Sequence, residues 1–202
     1  MNIISIDTSG KFCSVSICLS DNARYSVISE SPLSHSSELA VNLKNIIDKC
    51  QIQIKDLDFV VANIGPGSFT GLRIGISFAK GLCLSNNIPL LPINSFDIID
   101  SKVDCEKDSF HYGVYSHKNF IYGKKYEKTT ADKPKLINLE EQIDGPIYIY
   151  GLDHSKEFSN DITHVEYDSS DLIDIAIKRF ESKIFHDLNS INPIYIDYND
   201  SV

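Results

Sequence analysis

The spacing of apolar and polar residues along this chain predicts alternating strands and helices. Residues 12–19 alternate between apolar and polar side chains, as expected of a strand with one buried face. Residues 36–50 instead repeat apolar side chains at helical spacing. The same two periods predict strands over residues 2–7, 12–19, 25–28, 59–64, 89–93, 111–115, 120–126, 146–150 and 162–167, and helices over residues 36–50, 70–84, 95–101 and 171–183. This order predicts an α/β protein.

A strand–turn–helix–strand unit lies at the centre of the pattern, in residues 58–92. Its β-branched strand, 59–64, runs into a turn made of glycine, proline and hydroxyl residues, and the helix 70–84 then leads to the strand 89–93. Such a unit implies two parallel strands joined by a right-handed crossover.

The turn has two interpretations. Gly65 and Gly67 permit backbone angles that other residues avoid, and Ser68 or Thr70 can cap the following helix. Backbone N–H groups in such a turn can hold an anion, although the string lacks the Gly-Lys-Ser/Thr ending of a Walker A loop. The second interpretation is a tight strand-to-helix connection without a ligand.

A second candidate for phosphate binding lies at the end of the first strand. Asp7 ends an apolar run and is followed by Thr8 and Ser9, and an acid beside backbone amides could hold a metal-bound phosphate. The same sequence is also common in turns without a ligand.

Small residues recur every four positions in the central helix. Gly71, Gly75, Ala79 and Cys83 lie on one helical face, and each interior glycine costs about 1 kcal/mol relative to alanine. Something must therefore approach this helix closely. The neighbour is either the chain's own sheet or a second chain.

Composition and charge argue against a protein that binds nucleic acid on its own, is secreted or spans a membrane. The chain has 202 residues and a net charge of −9, with no stripe of Lys and Arg, so alone it should bind RNA or DNA poorly. Five cysteines without a CxxC pair are typical of reduced thiols in a cytoplasmic protein. The first strand begins at the N-terminus without a signal peptide, and no apolar run is long enough to span a membrane.

The turn and three further segments resemble one protein family. The string from Gly65 to Gly75, Gly-Pro-Gly-Ser-Phe-Thr-Gly-Leu-Arg-Ile-Gly, is similar to the signature of the TsaB (YeaZ) family of bacterial tRNA-modification proteins. Ile-Asp-Thr-Ser at residues 6–9, His-Ser at 35–36 and Pro-Ile-Tyr at 193–195 agree with that family in order and spacing. The likeness is strong over residues 1–100 and thin beyond them.

The resemblance implies an actin-like ATPase (ASKHA, ribonuclease H-like) fold of two lobes, each with a mixed sheet flanked by helices. It implies a non-catalytic scaffold that pairs with and activates a TsaD threonylcarbamoyltransferase, which forms threonylcarbamoyladenosine in tRNA. It also implies a TsaE-like ATPase as a further partner and contact with tRNA only through the complex. Weak ATP or ADP binding at a vestigial site, and a homodimer of the lone chain, are left open.

The family's partner surface is made by its first two helices, which implies an interface on this chain. The interface residues implied by the resemblance are His35, Leu39, Leu43, Ile46, Gly71, Leu72, Gly75, Ile76 and Ala79. The vestigial phosphate site would comprise Asp7, Thr8, Ser9, Gly65, Gly67 and Ser68. The catalytic paralogue holds its metal with HxxxH, whereas here Leu39 follows His35 four residues on, so we expect neither catalytic residues nor a metal.

The charged segment 101–108 predicts a lobe boundary, giving an N-terminal lobe 1–102 and a shorter C-terminal lobe 103–202 whose last helix and tail could pack back on the first. The second lobe lacks the Asp-Ala-Arg-like strand end usual in the family. An alternative function is a nucleotide-dependent transferase that acts alone through Asp7, Thr8, Ser9 and the glycine turn. A peptidase finds no support, because no Ser/His/Asp arrangement is recognisable.

Overall fold

A computed structural model describes residues 1–30, 35–127, 130–181 and 187–196. The first half of the chain comprises strands β1 (Ile3–Asp7), β2 (Cys13–Cys18), β3 (Arg24–Ser29), β4 (Phe59–Asn63) and β5 (Leu90–Ile93), and helices α1 (His35–Cys50), α2 (Phe69–Asn86) and α3 (Ser95–Lys102). The second half comprises strands β6 (Ser109–His117), β7 (Phe120–Glu127), β8 (Thr130–Ala131), β9 (Lys135–Asn138), β10 (Ile147–Tyr150) and β11 (Ile162–His164), and helix α4 (Asp171–Glu181).

The strands form two mixed sheets. The first has the order β3-β2-β1-β4-β5, in which β1, β2 and β3 are antiparallel while β1, β4 and β5 are parallel. The parallel pairing of β4 with β5 confirms the predicted strand–helix–strand unit. The second sheet has the order β11-β10-β6-β7-β8, with β9 also paired to β7. The predicted lobe boundary falls between the end of α3 and the start of β6.

Alternating side chains of the first sheet supply two hydrophobic cores. Ile4, Ile6, Val60 and Ala62 pack on one side beneath α1 and α2. Ile3, Phe59 and Val61 point to the other side, where α3 and α4 fill the space between the two sheets. The layers are therefore the helices α1 and α2, the first sheet, the helices α3 and α4, and the second sheet.

The second half differs from the sequence expectations in detail. No strand is predicted between residues 126 and 146, but β8 and β9 lie there and pair with β7. These strands are short and exposed, so they carry little hydrophobic alternation. Strand β11 stops at His164, three residues before the predicted end. The predicted end of α4 at 182–183 and the tail residues 197–198 lie outside the described residues.

Among the described residues, no helix combines the length and the apolar character needed to cross a lipid bilayer.

Candidate functional site

The end of β1 is joined to the glycine turn by a buried network of polar groups. Asp7 is buried, and its Oδ1 accepts hydrogen bonds from the Ser9 N–H at 2.9 Å and from Asn63 Nδ2 at 3.1 Å. Asn63 Nδ2 also donates to Ser9 Oγ at 2.9 Å, and Asn63 Oδ1 accepts from the Gly65 N–H at 2.8 Å. Asn63 therefore connects the first strand to the turn.

The start of α2 is held against the same segment. The Ser68 N–H donates to the Ser9 carbonyl at 2.6 Å, and the Thr8 hydroxyl donates to the Gly71 carbonyl at 2.8 Å. Ser68 caps the helix, because its Oγ accepts from the Gly71 N–H at 3.2 Å. The helix cap predicted from the sequence is thus confirmed for Ser68. The backbone N–H of Ser68 is already bonded to the Ser9 carbonyl.

Burial raises the pKa of Asp7, the acid in this network. Loss of water around Asp7 raises the pKa of its carboxyl above the ordinary value of 3.8. Hydrogen bonds from Ser9 and Asn63 lower the pKa and offset part of that shift. The fold therefore favours the protonated, neutral form of Asp7 more than the unfolded chain does.

Two stacked tyrosines of the second lobe pack next to the turn that follows β1. The rings of Tyr150 and Tyr167 stack with centroids 3.7 Å apart, and both residues are buried. The Tyr150 hydroxyl lies against Gly10, so close that a Cβ on Gly10 would come within 3.0 Å of it. Tyr150 therefore occupies the space directly next to Gly10.

The small-residue stripe of α2 faces the chain's own core. A Cβ built on Gly71 would lie well within 3.0 Å of the Thr8 carbonyl oxygen, and one on Gly75 equally close to Thr8 Oγ1. Ala79 and Cys83 are fully buried beneath the helix. The interpretation of this stripe as an intersubunit surface is therefore corrected, because the close neighbour is the end of β1.

The other residues assigned to the interface also point inward. Leu39, Leu43, Ile46, Leu72 and Ile76 are all buried in the core between the helices and the first sheet. His35 is buried as well, with its Nε2 3.4 Å from the Lys11 carbonyl. Burial by the chain itself removes these side chains from direct contact with a partner.

The outward sides of α1 and α2 carry apolar residues that the sequence interpretation missed. Leu84 is 77% exposed, and Val41 is 55% exposed. A Cβ built on Gly81 would have no atom of the described residues within 4 Å, so packing among those residues does not explain that glycine. The spacing along the helix could have revealed this outward side. Gly81 and Leu84 lie three residues apart and belong to a different helical face from the stripe of small residues.

A cleft lies between the two lobes next to the polar network. One cavity, of about 470 Å³, is lined by residues of the β1–β2 turn, the start of α2 and strands β6, β7 and β10. A second cavity, of about 290 Å³, shares Gly67, Phe69 and Tyr122 with the first and continues to Arg73 and Tyr195. No cluster of three His, Cys, Asp or Glu side chains suited to a metal exists among the described residues.

Comparisons with known proteins agree with the fold and the signature string. The family model described as "TsaD: tRNA N6-adenosine threonylcarbamoyltransferase" matches residues 29–176. The chain is 25% identical over 166 residues to the tRNA threonylcarbamoyladenosine biosynthesis protein TsaB of Bacillus subtilis, covering 77% of this chain and 72% of the relative. It is 35% identical over 100 residues to TsaB of Buchnera aphidicola subsp. Schizaphis graminum, covering 50% and 47%.

A solved structure described as YeaZ from Pseudomonas aeruginosa superposes with a TM-score of 0.74 at 18% sequence identity, covering 96% of this chain and 99% of the other. At this identity the likeness establishes the fold alone. It confirms the two-lobe α/β architecture expected from the sequence, and the similarity extends over the second lobe, where the sequence resemblance is thin.

Proposed function

We propose that this chain, which belongs to the TsaB (YeaZ) family of TsaD-related proteins, is the non-catalytic scaffold that pairs with a TsaD-like threonylcarbamoyltransferase and holds it active. Family membership means that the chain takes part in the biosynthesis of threonylcarbamoyladenosine in tRNA. The pairing, the absence of catalysis and a further TsaE-like ATPase partner are parts of the proposal.

The observation that carries the proposal is the exposed apolar surface of the two helices. Helices α1 and α2 cover the same face of the first sheet, so the sides that point away from the sheet face the same part of the surroundings. Leu84 and Val41 are exposed there, and Gly81 leaves room for a second helix to approach. We define Val41, Gly81 and Leu84 as the outer helix surface and assign the partner contact to it.

The inward residues have an indirect role in this proposal. Leu39, Ile46, Leu72 and Ile76 fix the two helices against the sheet and thereby set the geometry of the outer helix surface. The small residues of α2 let the helix lie directly on the end of β1.

The geometry at β1 argues against a transferase that acts alone. Asp7 is buried, and its Oδ1 already accepts hydrogen bonds from the Ser9 N–H and Asn63 Nδ2, so this oxygen is poorly placed to bind a nucleotide-bound metal. The Ser68 N–H of the turn donates to Ser9 instead of pointing at an anion. Sustained ATP turnover by the purified chain, lost in Asp7→Ala, would favour the transferase.

The experiment that tests the scaffold mixes the chain with the TsaD paralogue from the same genome. Calorimetric titration gives the affinity, and tRNA modification by the mixture gives the activation. We expect Leu84→Glu to weaken binding at least tenfold, because a charge would be buried at an apolar contact.

Ile28→Glu is the matched control. Ile28 is 48% exposed on the edge strand β3, so it undergoes the same change of side chain away from the outer helix surface. The proposal fails if the wild-type chain does not bind the paralogue, or if Leu84→Glu and Ile28→Glu bind with equal affinity.

A further inference from the structure

The two joined cavities of the interlobe cleft share a lining that is unusual for this chain. Among the described residues that line them, none is Asp or Glu, although the chain carries 28 acids against 19 Lys and Arg. Lys11 and Arg73 bring positive charge to opposite parts of the lining. Neither forms an ion pair with a described residue, so no acid among the described residues competes with an anion for them.

Aromatic side chains line the same two cavities as these cations. Phe69, Tyr115, Tyr122 and Tyr195 line the cleft. The Arg73 guanidinium lies 3.8 Å from the centroid of the Phe69 ring, and its Nε donates to the Tyr195 hydroxyl at 2.7 Å. These two contacts hold the Arg73 guanidinium over the Phe69 ring, where Arg73 lines the second cavity.

Tyr122 lies where the two cavities meet. Its side chain makes no hydrogen bond, ring contact or cation contact with any described residue, and Tyr122 lines both cavities. By contrast, Lys156 lies over the ring of Tyr115 and Tyr195 is 5.1 Å from Phe69. Tyr122 is therefore the aromatic ring in the cleft that is left for a ligand to stack on.

We propose that this cleft binds a segment of single-stranded RNA, with one base stacked on Tyr122 and its phosphates near Lys11 and Arg73. Interleaved aromatic rings and cations without acids are the features that bind unpaired nucleic acid. The positive lining complements a phosphate backbone even though the whole chain is acidic. The choice of RNA rests on the proposed role in tRNA modification.

A nucleoside triphosphate fits the same surface less well. Its phosphates need several free N–H donors, but the Ser68 N–H is bonded to Ser9, Gly67 packs on the Ser9 carbonyl, and the Tyr150 hydroxyl covers Gly10. A strand of RNA requires only stacking and two separated charges. The cleft continues from the first cavity into the second, which suits a strand longer than one nucleotide.

The test is fluorescence anisotropy of a fluorescein-labelled heptanucleotide RNA with the full chain at low salt. We expect binding with a dissociation constant below about 0.5 mM, as for weak sequence-independent sites. Tyr122→Ala should weaken binding about tenfold, the usual loss for one stacked base, whereas Tyr122→Phe should bind like the wild type. Arg73→Gln should weaken binding about threefold and reduce the salt slope by about 0.7.

Lys49→Gln serves as the charge control, because Lys49 lies over Tyr25 at the far edge of the first sheet and lines neither cavity. It should bind RNA like the wild type, and thermal unfolding checks that each variant is folded. The inference is overturned if the RNA does not bind, if Tyr122→Ala binds as the wild type does, or if ATP binds more tightly than the RNA and displaces it.

The two proposals fail separately. Normal pairing with the TsaD paralogue without RNA binding would overturn only the assignment of the cleft. RNA binding that depends on Tyr122, in a chain that does not pair, would overturn the scaffold and leave the cleft assignment standing.

Discussion

Two glycines of α2 show how one residue type can serve opposite purposes in a single helix. Gly75 lies against Thr8, and a Cβ there would come far inside 3.0 Å of the threonine hydroxyl. Gly81, six residues later, has open space where its Cβ would be. Both glycines cost helix stability by about 1 kcal/mol relative to alanine. Packing among the described residues explains Gly75 and does not explain Gly81.

The difference between Gly75 and Gly81 moves the expected partner contact from the inner side of α2 to its outer side. A repeat of small residues signals a close approach, but it does not tell whether the neighbour belongs to the same chain. Here the repeat belongs to the inner side of α2, and the proposed contact lies on the outer helix surface. Changes at the two sides should therefore have separable effects, on folding for the inner side and on pairing for the outer.

The largest effect should come from Gly71→Ala. The added Cβ would overlap the backbone carbonyl of Thr8, which cannot move without shifting β1. We expect a loss of about 3 kcal/mol or more in the free energy of unfolding, measured by urea denaturation.

Gly75→Ala provides the matched comparison, since its Cβ would meet only the Thr8 hydroxyl. It should cost about 2 kcal/mol, and Thr8→Ala should relieve most of that cost, whereas the same substitution should not rescue Gly71→Ala. Equal rescue of both variants would contradict the packing described for the inner side.

A smaller effect, dependent on pH, is expected for Asp7→Asn. Because burial raises the pKa of Asp7 in the folded state, the folded chain binds the proton more tightly than the unfolded chain does. The contribution of the Asp7 carboxyl to the free energy of unfolding is therefore present at low pH. It is lost as the pH rises through the pKa that Asp7 has in the folded chain. Asn keeps an oxygen that can accept from Ser9 and Asn63 without carrying a charge.

Urea denaturation of the wild type and Asp7→Asn across the pH range gives the measurement. The variant should be the more stable at pH 8, and its advantage should shrink as the solution is acidified. An advantage that grows on acidification would show that the buried carboxylate is instead stabilised as a charge.

The smallest effect, and of opposite sign, is expected for Gly81→Ala. The methyl group would enter open space, so the change should raise the free energy of unfolding of the lone chain by about 1 kcal/mol through helix propensity. Thermal or urea unfolding measures the gain. A loss of stability would mean that Gly81 is packed within the chain after all.

The sequence predicted the first lobe well because its apolar periods are long and regular. The order of strands and helices through α3, the parallel pair of β4 and β5, and the cap at Ser68 were all predicted. The strands β8 and β9 were missed because they are held by pairing with β7 and not by burial.

The site could be predicted only in part. Ser9 lies against both Asp7 and Gly67, so the end of β1 and the glycine turn do meet, as a phosphate site built from both segments would require. The cleft could not be foreseen, since Lys11, Arg73 and Tyr122 come from separate elements and are brought together only by the arrangement of the lobes. The net charge of −9 describes the whole chain and gives no indication that the lining of the cleft lacks Asp and Glu.

The most direct test of the outer helix surface is hydroxyl-radical footprinting of the chain with and without its TsaD paralogue. Because this method reports the exposure of individual side chains, it distinguishes the two sides of one helix. We predict that oxidation of Leu84 and Val41 falls severalfold in the complex, while Tyr25 and Ile28 on the edge strand react as before. Undiminished oxidation of Leu84 and Val41 in a saturated complex would contradict the account.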